Sequence, residues 1–308
     1  MRFTVNHETR IGARKMNQDR LGWAMSDEAL LMVICDGMGG HRHGEIAAQI
    51  VVDQLLHVFR QTAQPRVDDP RRFLQTQIVE AHRTINRYAG LRAIVLAGAP
   101  RTTCVACLIQ DGEAWIAHTG DSRAYLIRDG RVVFRTLDHS HVQRLVDAGE
   151  ISEAEAQTHP QRNIVFTCLG GENMPRIDIS APHTLLPGDT VALCSDGVWG
   201  PLGEALPAVL SYPLERALPG ALDRAQRVAG DAADNLSLLA LRWETAANGM
   251  ATDERTLAHT QPVTIVEDFT RTLPTPLSDA EIAAAIASVK DAIEARGRNT
   301  LSHDTTTP

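Results

Sequence analysis

The sequence predicts an α+β fold, in which strands joined by tight turns are grouped apart from the helices. Four strand-like segments near 102–110, 113–119, 122–128 and 131–136 are separated by Asp111-Gly112, Gly120-Asp121 and Asp129-Gly130. Asp-Gly is a strong hairpin signal, because both central residues of a type I′ turn need positive φ. Ahead of that run stand two helical stripes, Ala47, Val51, Leu55 and Val58, then Leu74, Ile78, Ala81, Ile85 and Tyr88. Their spacing of three and four marks one buried face per helix. No strand–helix alternation of the parallel-sheet kind appears.

Taken in order, residues 2–9 alternate through Phe3 and Val5 as a strand. Ala29–Cys35 is a continuous apolar run ending at Asp36, the pattern of a buried strand. The first helix starts near Gly44, and a polar break from Ala63 to Pro70 separates it from the second. Residues 138–162 interrupt the strand pattern with short helical stretches at Val142–Ala148 and Glu153–Ala156, followed by His159-Pro160-Gln161-Arg162-Asn163. This insert reads as a flap. Strands are expected near 163–169, 175–180 and 190–195. Pro219 suits the first position of a helix running to Gly230, with Leu222, Ala225, Val228 and Ala229 inward, and the strand Leu236–Trp243 closes the domain.

From Glu244 the composition changes. Residues 245–276 form a Thr- and Pro-rich linker after a domain spanning 1–244. Ser278-Asp279-Ala280-Glu281 is a capping box, and Ile282, Ile286, Val289 and Ile293 stripe an amphipathic helix over 277–297. Such a helix is marginal alone in water. It needs its own domain, a second copy or another protein, and the linker gives 278–296 the reach of a docking element. Residues 298–308 are expected to be a disordered tail.

Hydrophobic residues make up 44% and charged residues 22% of the 308, ordinary for a soluble protein. A net charge of −8 with no Lys/Arg run argues against a nucleic-acid partner. No apolar stretch approaches the roughly 20 residues a bilayer requires, and the N-terminus lacks the apolar core of a secretion signal. Five cysteines form no disulfide framework, which fits a cytoplasmic location. Cys104 and Cys107 lie three apart on a strand and so point to opposite faces, as core thiols.

The chemistry lies in five aspartate motifs: Asn17-Gln18-Asp19, Asp36-Gly37-Met38-Gly39-Gly40, Gly120-Asp121-Ser122-Arg123, Ser195-Asp196-Gly197 and Asp234-Asn235. Most adjoin an apolar run, which puts each carboxylate at a strand end. Strand ends can converge on one cleft, where carboxylates repel unless cations hold them. Hard divalent ions prefer such oxygen donors. Asp111 and Asp129 read as hairpin turns only.

In Arg14-Lys15-Met16-Asn17-Gln18-Asp19, Cys35-Asp36-Gly37-Met38-Gly39-Gly40-His41, Arg101-Thr102-Thr103, Gly120-Asp121-Ser122-Arg123, Asp138-His139-Ser140, Cys194-Ser195-Asp196-Gly197 and Asp234-Asn235, the chain resembles the PPM, or PP2C-type, metal-dependent protein phosphatases in their bacterial form. The resemblance runs from about Val5 to Trp243. It implies a four-layer α-β-β-α sandwich of two antiparallel sheets flanked by helices. It also implies hydrolysis of phosphoserine and phosphothreonine on proteins by a metal-bridging hydroxide, opposing a partner Ser/Thr kinase. Asp36 would bridge two Mn²⁺ or Mg²⁺ ions, with Asp19, Asp196, Asp234 and the Gly37 carbonyl completing the shell. The absence of a Cβ at Gly37 lets its carbonyl approach an ion. Asp121 would serve a third metal, or be simply a turn residue. Arg14 is the candidate phosphate clamp, since a guanidinium offers a planar fork to two oxygens. Lys15 is expected to face solvent, and Ser122 and Arg123 to be structural supports.

Two departures stand out. Gln18 occupies a position where many relatives carry Glu, and it brings no charge. Met38 follows Asp-Gly where eukaryotic relatives have His, so the leaving alkoxide takes its proton from water or another group. His41, His43, His118 and His139 read as structural. The alternative function is a pseudophosphatase that binds phosphoproteins through the same fold; the complete set of Asp19, Asp36, Asp196 and Asp234 argues against it.

Overall fold

A computed structural model describes residues 1–38, 43–91 and 99–244. The expected linker, the helix over 277–297, the tail, and Gly39, Gly40 and His41 lie outside the described residues.

The chain begins with β1 (Phe3–Arg10), β2 (Asp19–Met25) and β3 (Ala29–Met38), then helices α1 (Gly44–Thr62) and α2 (Pro70–Leu91). Next come β4 (Arg101–Thr102), β5 (Cys104–Gln110), β6 (Glu113–Thr119), β7 (Arg123–Arg128) and β8 (Arg131–Arg135). The flap carries α3 (His141–Asp147) and α4 (Glu153–Thr158) and is followed by β9 (Asp178–Ile179), β10 (His183–Thr184) and β11 (Thr190–Cys194). Helices α5 (Asp196–Leu202), α6 (Leu206–Val209) and α7 (Leu214–Ala229) precede β12 (Leu236–Trp243).

Two sheets result. One has the order β1-β12-β11-β7-β8; the other runs β10-β6-β5-β3-β2, with β4 on β3 and β9 on β6. Their pairings are antiparallel, and β1 pairs β12 from Phe3↔Trp243 to Arg10↔Leu236. Met32, Ile34, Val105, Leu193 and Leu239 fill the space between the sheets. Leu31, Val33 and Cys35 face α1 and α2 on the opposite side of β3. Both faces of β3 are therefore covered, which is why it reads as an unbroken apolar run. Tyr125, Ile127 and Leu238 pack under α5 and α7 through Val198, Leu218 and Leu222. Four layers follow, as the resemblance implied. Cys104 belongs to the helix-side core and Cys107 to the core between the sheets, on opposite faces of β5.

The Asp-Gly turns have positive φ at both residues, 52° and 74° for Asp111-Gly112 and 50° and 73° for Asp129-Gly130. One strand went unread and four expectations need correction. Strand β2 was not anticipated, because Gly22 weakens its pattern; a Cβ there would lie 2.7 Å from Leu56 Cδ1, so the gap admits α1. Residues 163–169 make only the isolated bridges Ser140↔Val165 and Thr102↔Leu169, and the strand expected at 175–180 shrinks to β9. Helix α7 begins at Leu214, since Leu214, Ala217 and Leu218 extend its buried stripe past Pro219. The proline forgoes one helical bond. Val228 faces outward, 62% exposed.

Candidate metal centre

The site is assembled at one end of the sandwich. In the antiparallel register of β2 and β3, Asp19 lies opposite Asp36. The Asp36 backbone is fixed from the end of β4 and the residue that follows it: its N–H donates to Thr103 Oγ1 at 2.9 Å, and its carbonyl accepts from Thr103 N and Thr102 Oγ1, each at 2.9 Å. Asp19 is held across the sandwich. Ser195 Oγ donates to Asp19 Oδ2 at 2.7 Å and accepts from Ser237 N at 3.0 Å. Asp196 opens α5 directly after Ser195. The following Gly197 cannot carry a Cβ, which would sit 2.1 Å from the Asn235 carbonyl oxygen.

Asp234 precedes β12 and accepts from Arg14 Nη2 at 2.7 Å. The neighbouring Asn235 fastens the loop before β2, accepting from Gln18 N at 2.8 Å and donating to the carbonyls of Ile11 at 2.9 Å and Met16 at 3.0 Å. Asp121 follows β6, and its carbonyl accepts from Trp199 Nε1 at 2.9 Å. Gly37 is needed for a reason beyond access to its carbonyl. A Cβ there would lie 2.3 Å from Gly44 O and 2.7 Å from Gln18 O, where β3 crosses the start of α1. Gln18, uncharged itself, donates to Glu45 on α1 at 3.3 Å.

The electrostatics are those of crowded acids. Burial first, and then the charges of Asp19, Asp196, Asp121 and Asp234, push Asp36 well above the usual carboxylate range. Burial likewise pushes Asp121 well up, reinforced by Asp196. Burial raises Asp19 to about 7, against the hydroxyl of Ser195, and Asp196 to about 6, with the Asp234 charge adding to it. Buried Asp19 Oδ1, Asp121 Oδ1 and Asp196 Oδ1 have no hydrogen-bond partner. Orphaned carboxylate oxygens gathered at one sheet end fit hard divalent cations.

Other predicted residues fall away from this cluster. Asp111 pairs with Arg66 at 2.9 Å on the surface, and Asp129 stays in its turn. Arg123 is a prop: its guanidinium makes two bonds to Asp138, at 2.7 and 2.8 Å, and lies 3.4 Å over the Trp199 ring centroid. Ser122 Oγ bonds Thr103 Oγ1 at 2.7 Å. His118 and His139 are stacked with centroids 4.6 Å apart. His139 holds Gly120 twice, its Nδ1 accepting from the Gly120 N–H and its own backbone N–H donating to the Gly120 carbonyl. His43 precedes α1 with φ 86°. A cavity of about 690 Å³ opens on Arg14, Asp121, Asp196 and Asp234, and no histidine among the described residues lines it.

The family model described as Protein phosphatase 2C matches residues 8–227. The chain belongs to the protein phosphatase 2C family. Within that family it is 34% identical over 195 residues to the serine/threonine phosphatase stp of Listeria innocua, an alignment covering 62% of this chain and 76% of the relative. The S. agalactiae serine/threonine phosphatase structure superposes with a TM-score of 0.71 at 30% identity, covering 79% of this chain and 100% of that one. The catalytic domain of the phosphatase PstP, solved in complex with two manganese ions, superposes with a TM-score of 0.66 at 26% identity, covering 79% and 99%. Family membership and that manganese complex support divalent cations at a centre of this kind.

Sequence reasoning treated Ser195 and Asn235 as context for their aspartate neighbours, and it did not mark Thr103 or Ser237 for the site. The one local clue was that Ser195 and Asn235 each adjoin a motif aspartate, which does not separate a site hydroxyl or amide from one facing water. A hydroxyl or amide fixed beside a buried carboxylate has a polar group to satisfy.

Proposed function

We propose that this family member hydrolyses phosphoserine and phosphothreonine on proteins at a centre holding divalent cations. Asp19, Asp36, Asp196 and Asp234, with the Gly37 carbonyl, hold two Mn²⁺ or Mg²⁺ ions, and Asp121 serves a third. One observation carries the reading. Aspartates from five separate stretches of chain meet at one end of the two-sheet sandwich, near enough for their charges to act on one another, and three of their buried oxygens lack a partner. When bound, such cations lower the pKa of a water so that it is available as a nucleophile near neutral pH.

The chain's own residues do the rest. Ser195 fixes the direction of Asp19, and Thr102 and Thr103 fix the backbone of Asp36. Arg14 stands at the cavity mouth, its side chain 58% exposed, with one nitrogen on Asp234. Its remaining N–H groups are available to orient two phosphate oxygens. Met38 cannot donate a proton, so the leaving alkoxide takes its proton from water or another group. Residues 1–244 make up the catalytic domain, and the chain works in the cytoplasm against a partner Ser/Thr kinase. Among the described residues no helix is long and apolar enough to cross a membrane. Nothing in the site favours the pseudophosphatase alternative.

The test is phosphate release from a phosphothreonine peptide and from p-nitrophenyl phosphate, in Mn²⁺ and after chelation. Turnover should require the metal and vanish in Asp36→Asn, with weaker Mn²⁺ binding by calorimetry. Metal-independent turnover, or full activity in Asp36→Asn, overturns the proposal.

A further inference from the structure

The cavity that opens on the carboxylates extends well past them. From Asp121, Asp196 and Asp234 it runs over the outer face of the β7–β8 edge, with flap helices α3 and α4 on one side and α5 and α6 on the other. Val132 lies opposite Ile127 in the β7–β8 pairing, which places it on the face that packs toward α5 and α7. Strand β8 is the outermost strand of its sheet, so no further strand among the described residues covers that side. A phosphate group needs only the carboxylate end. The remainder of a cavity of about 690 Å³ has room for chain on the side of the phosphoresidue.

The groove's chemistry says what kind of chain. Arg123 is neutralised by Asp138 through two bonds, and Arg135 faces Glu153 at 3.7 Å. Arg162 and Glu204 also line the groove without an ion pair among the described residues, but their charges are opposite, so the side walls present little net field to select a strongly acidic or basic flank. What the groove offers instead is aliphatic surface. Val132, which is 42% exposed, and half-buried Val146 of α3 line it, backed by buried Val142 one turn earlier on the same face of α3 and by buried Pro207 of α6.

We propose that this groove holds the substrate polypeptide beside the phosphoresidue, and that an aliphatic side chain of the substrate seats against Val132 and Val146, backed by Val142 and Pro207. The inference rests on the phosphatase reading and adds to it a substrate class: phosphoproteins with an aliphatic residue at a fixed distance from the phosphate.

The experiment uses the full chain with Mn²⁺ and phosphothreonine peptides flanked by alanine. A single leucine is walked from five residues before the phosphoresidue to five after it, and aspartate and lysine are walked likewise. At one position leucine should raise kcat/KM about tenfold over alanine through KM, the size expected for burying one aliphatic side chain. Aspartate and lysine should give no such gain. Val132→Asp and Val146→Asp, on separate elements, should each bring the leucine-to-alanine ratio to about 1. Because the readout is a ratio, a general loss of activity in a variant cancels. The proposal is overturned if no position separates leucine from alanine, as would happen were residues 245–308 of the same chain to fill the groove. It is equally overturned if the ratio survives in both variants. If no phosphate ester is hydrolysed at all, the phosphatase reading fails instead. Fluorescence anisotropy of the same labelled peptides then tests the groove, with the same leucine preference expected.

Discussion

Ser195→Ala removes a single oxygen, yet that oxygen joins the two sheets beneath the carboxylates. Its hydroxyl donates to Asp19 Oδ2 at 2.7 Å and accepts from Ser237 N at 3.0 Å, with Ser195 and Ser237 fully buried and Asp19 3% exposed. Deletion leaves the Ser237 N–H unpaired. It also removes the Ser195 donor from Asp19, leaving the Ser237 hydroxyl as its remaining side-chain partner, since Oδ1 has none. A buried group left unsatisfied costs about 1–3 kcal/mol, and weakening the hold on a second adds to it, so the loss amounts to roughly 2–4 kcal/mol in the metal-free protein. At about 2–4 °C per kcal/mol for a domain of this size, the melting temperature should fall by about 10 °C. Urea unfolding in a chelator measures the loss. The control is Ser211→Ala, which deletes an exposed hydroxyl donating to Ala208 O at 2.7 Å and should cost less than about 0.5 kcal/mol. Mn²⁺ should narrow the gap, since a cation gives Asp19 another partner. A Ser195→Ala protein within about 1 kcal/mol of wild type in chelator would refute the claim that this hydroxyl anchors Asp19.

Gly37→Ala would place a Cβ 2.3 Å from Gly44 O, 2.4 Å from Gly44 C and 2.7 Å from Gln18 O. These are backbone atoms that cannot rotate aside, so a loss of about 3 kcal/mol in urea unfolding and weaker Mn²⁺ binding in calorimetry are expected. Arg14→Lys keeps the charge but not the fork, and should lower kcat/KM on p-nitrophenyl phosphate about tenfold, chiefly by raising KM. Burial first, and then the charge of His118, pushes His139 down to about 4, against the opposing pull of Asp178. Its neutral form is the folded one, so the unfolded chain takes up a proton first as pH falls below the ordinary value of about 6.5. The contribution of His139 is full above that pH and is lost as pH falls toward about 4. The melting temperature of His139→Gln relative to wild type should therefore rise as pH falls through that window, and a flat difference would remove this histidine from the balance.

Features governed by local chemistry could be read from residues alone. The Asp-Gly turns, the stripes of α1 and α2, and the doubly covered β3 depend on neighbours within a few positions, and they formed as expected. Strand β2 failed that test because Gly22 answers to Leu56, a residue of another element. The same holds for residues 163–169. Val165 bridges to Ser140 and Leu169 to Thr102, partners that local periodicity does not report. At the site, the aspartates could be picked out as a set because their charges make sense only together. Ser195, Asn235 and Thr103 could not, since a serine or asparagine next to an aspartate looks the same whether its side chain meets water or a buried strand. Pro219 misled because a helix-start preference is weaker than a buried stripe of Leu214, Ala217 and Leu218.

The fastening of Asn235 to Gln18, Ile11 and Met16, together with the β1–β12 pairing, bears on timing. Residues near the start of the chain wait for residues more than two hundred positions later before either can reach its final place. During synthesis Asp19 and Asp36 emerge early, but the lattice of bonds that aims Asp19 needs Ser195 and Ser237. A nascent chain halted before β12 lacks the clamp on the loop that carries Arg14. The bonds that aim Asp19 and fasten the Arg14 loop are thereby complete only once β12, the last strand among the described residues, has been made.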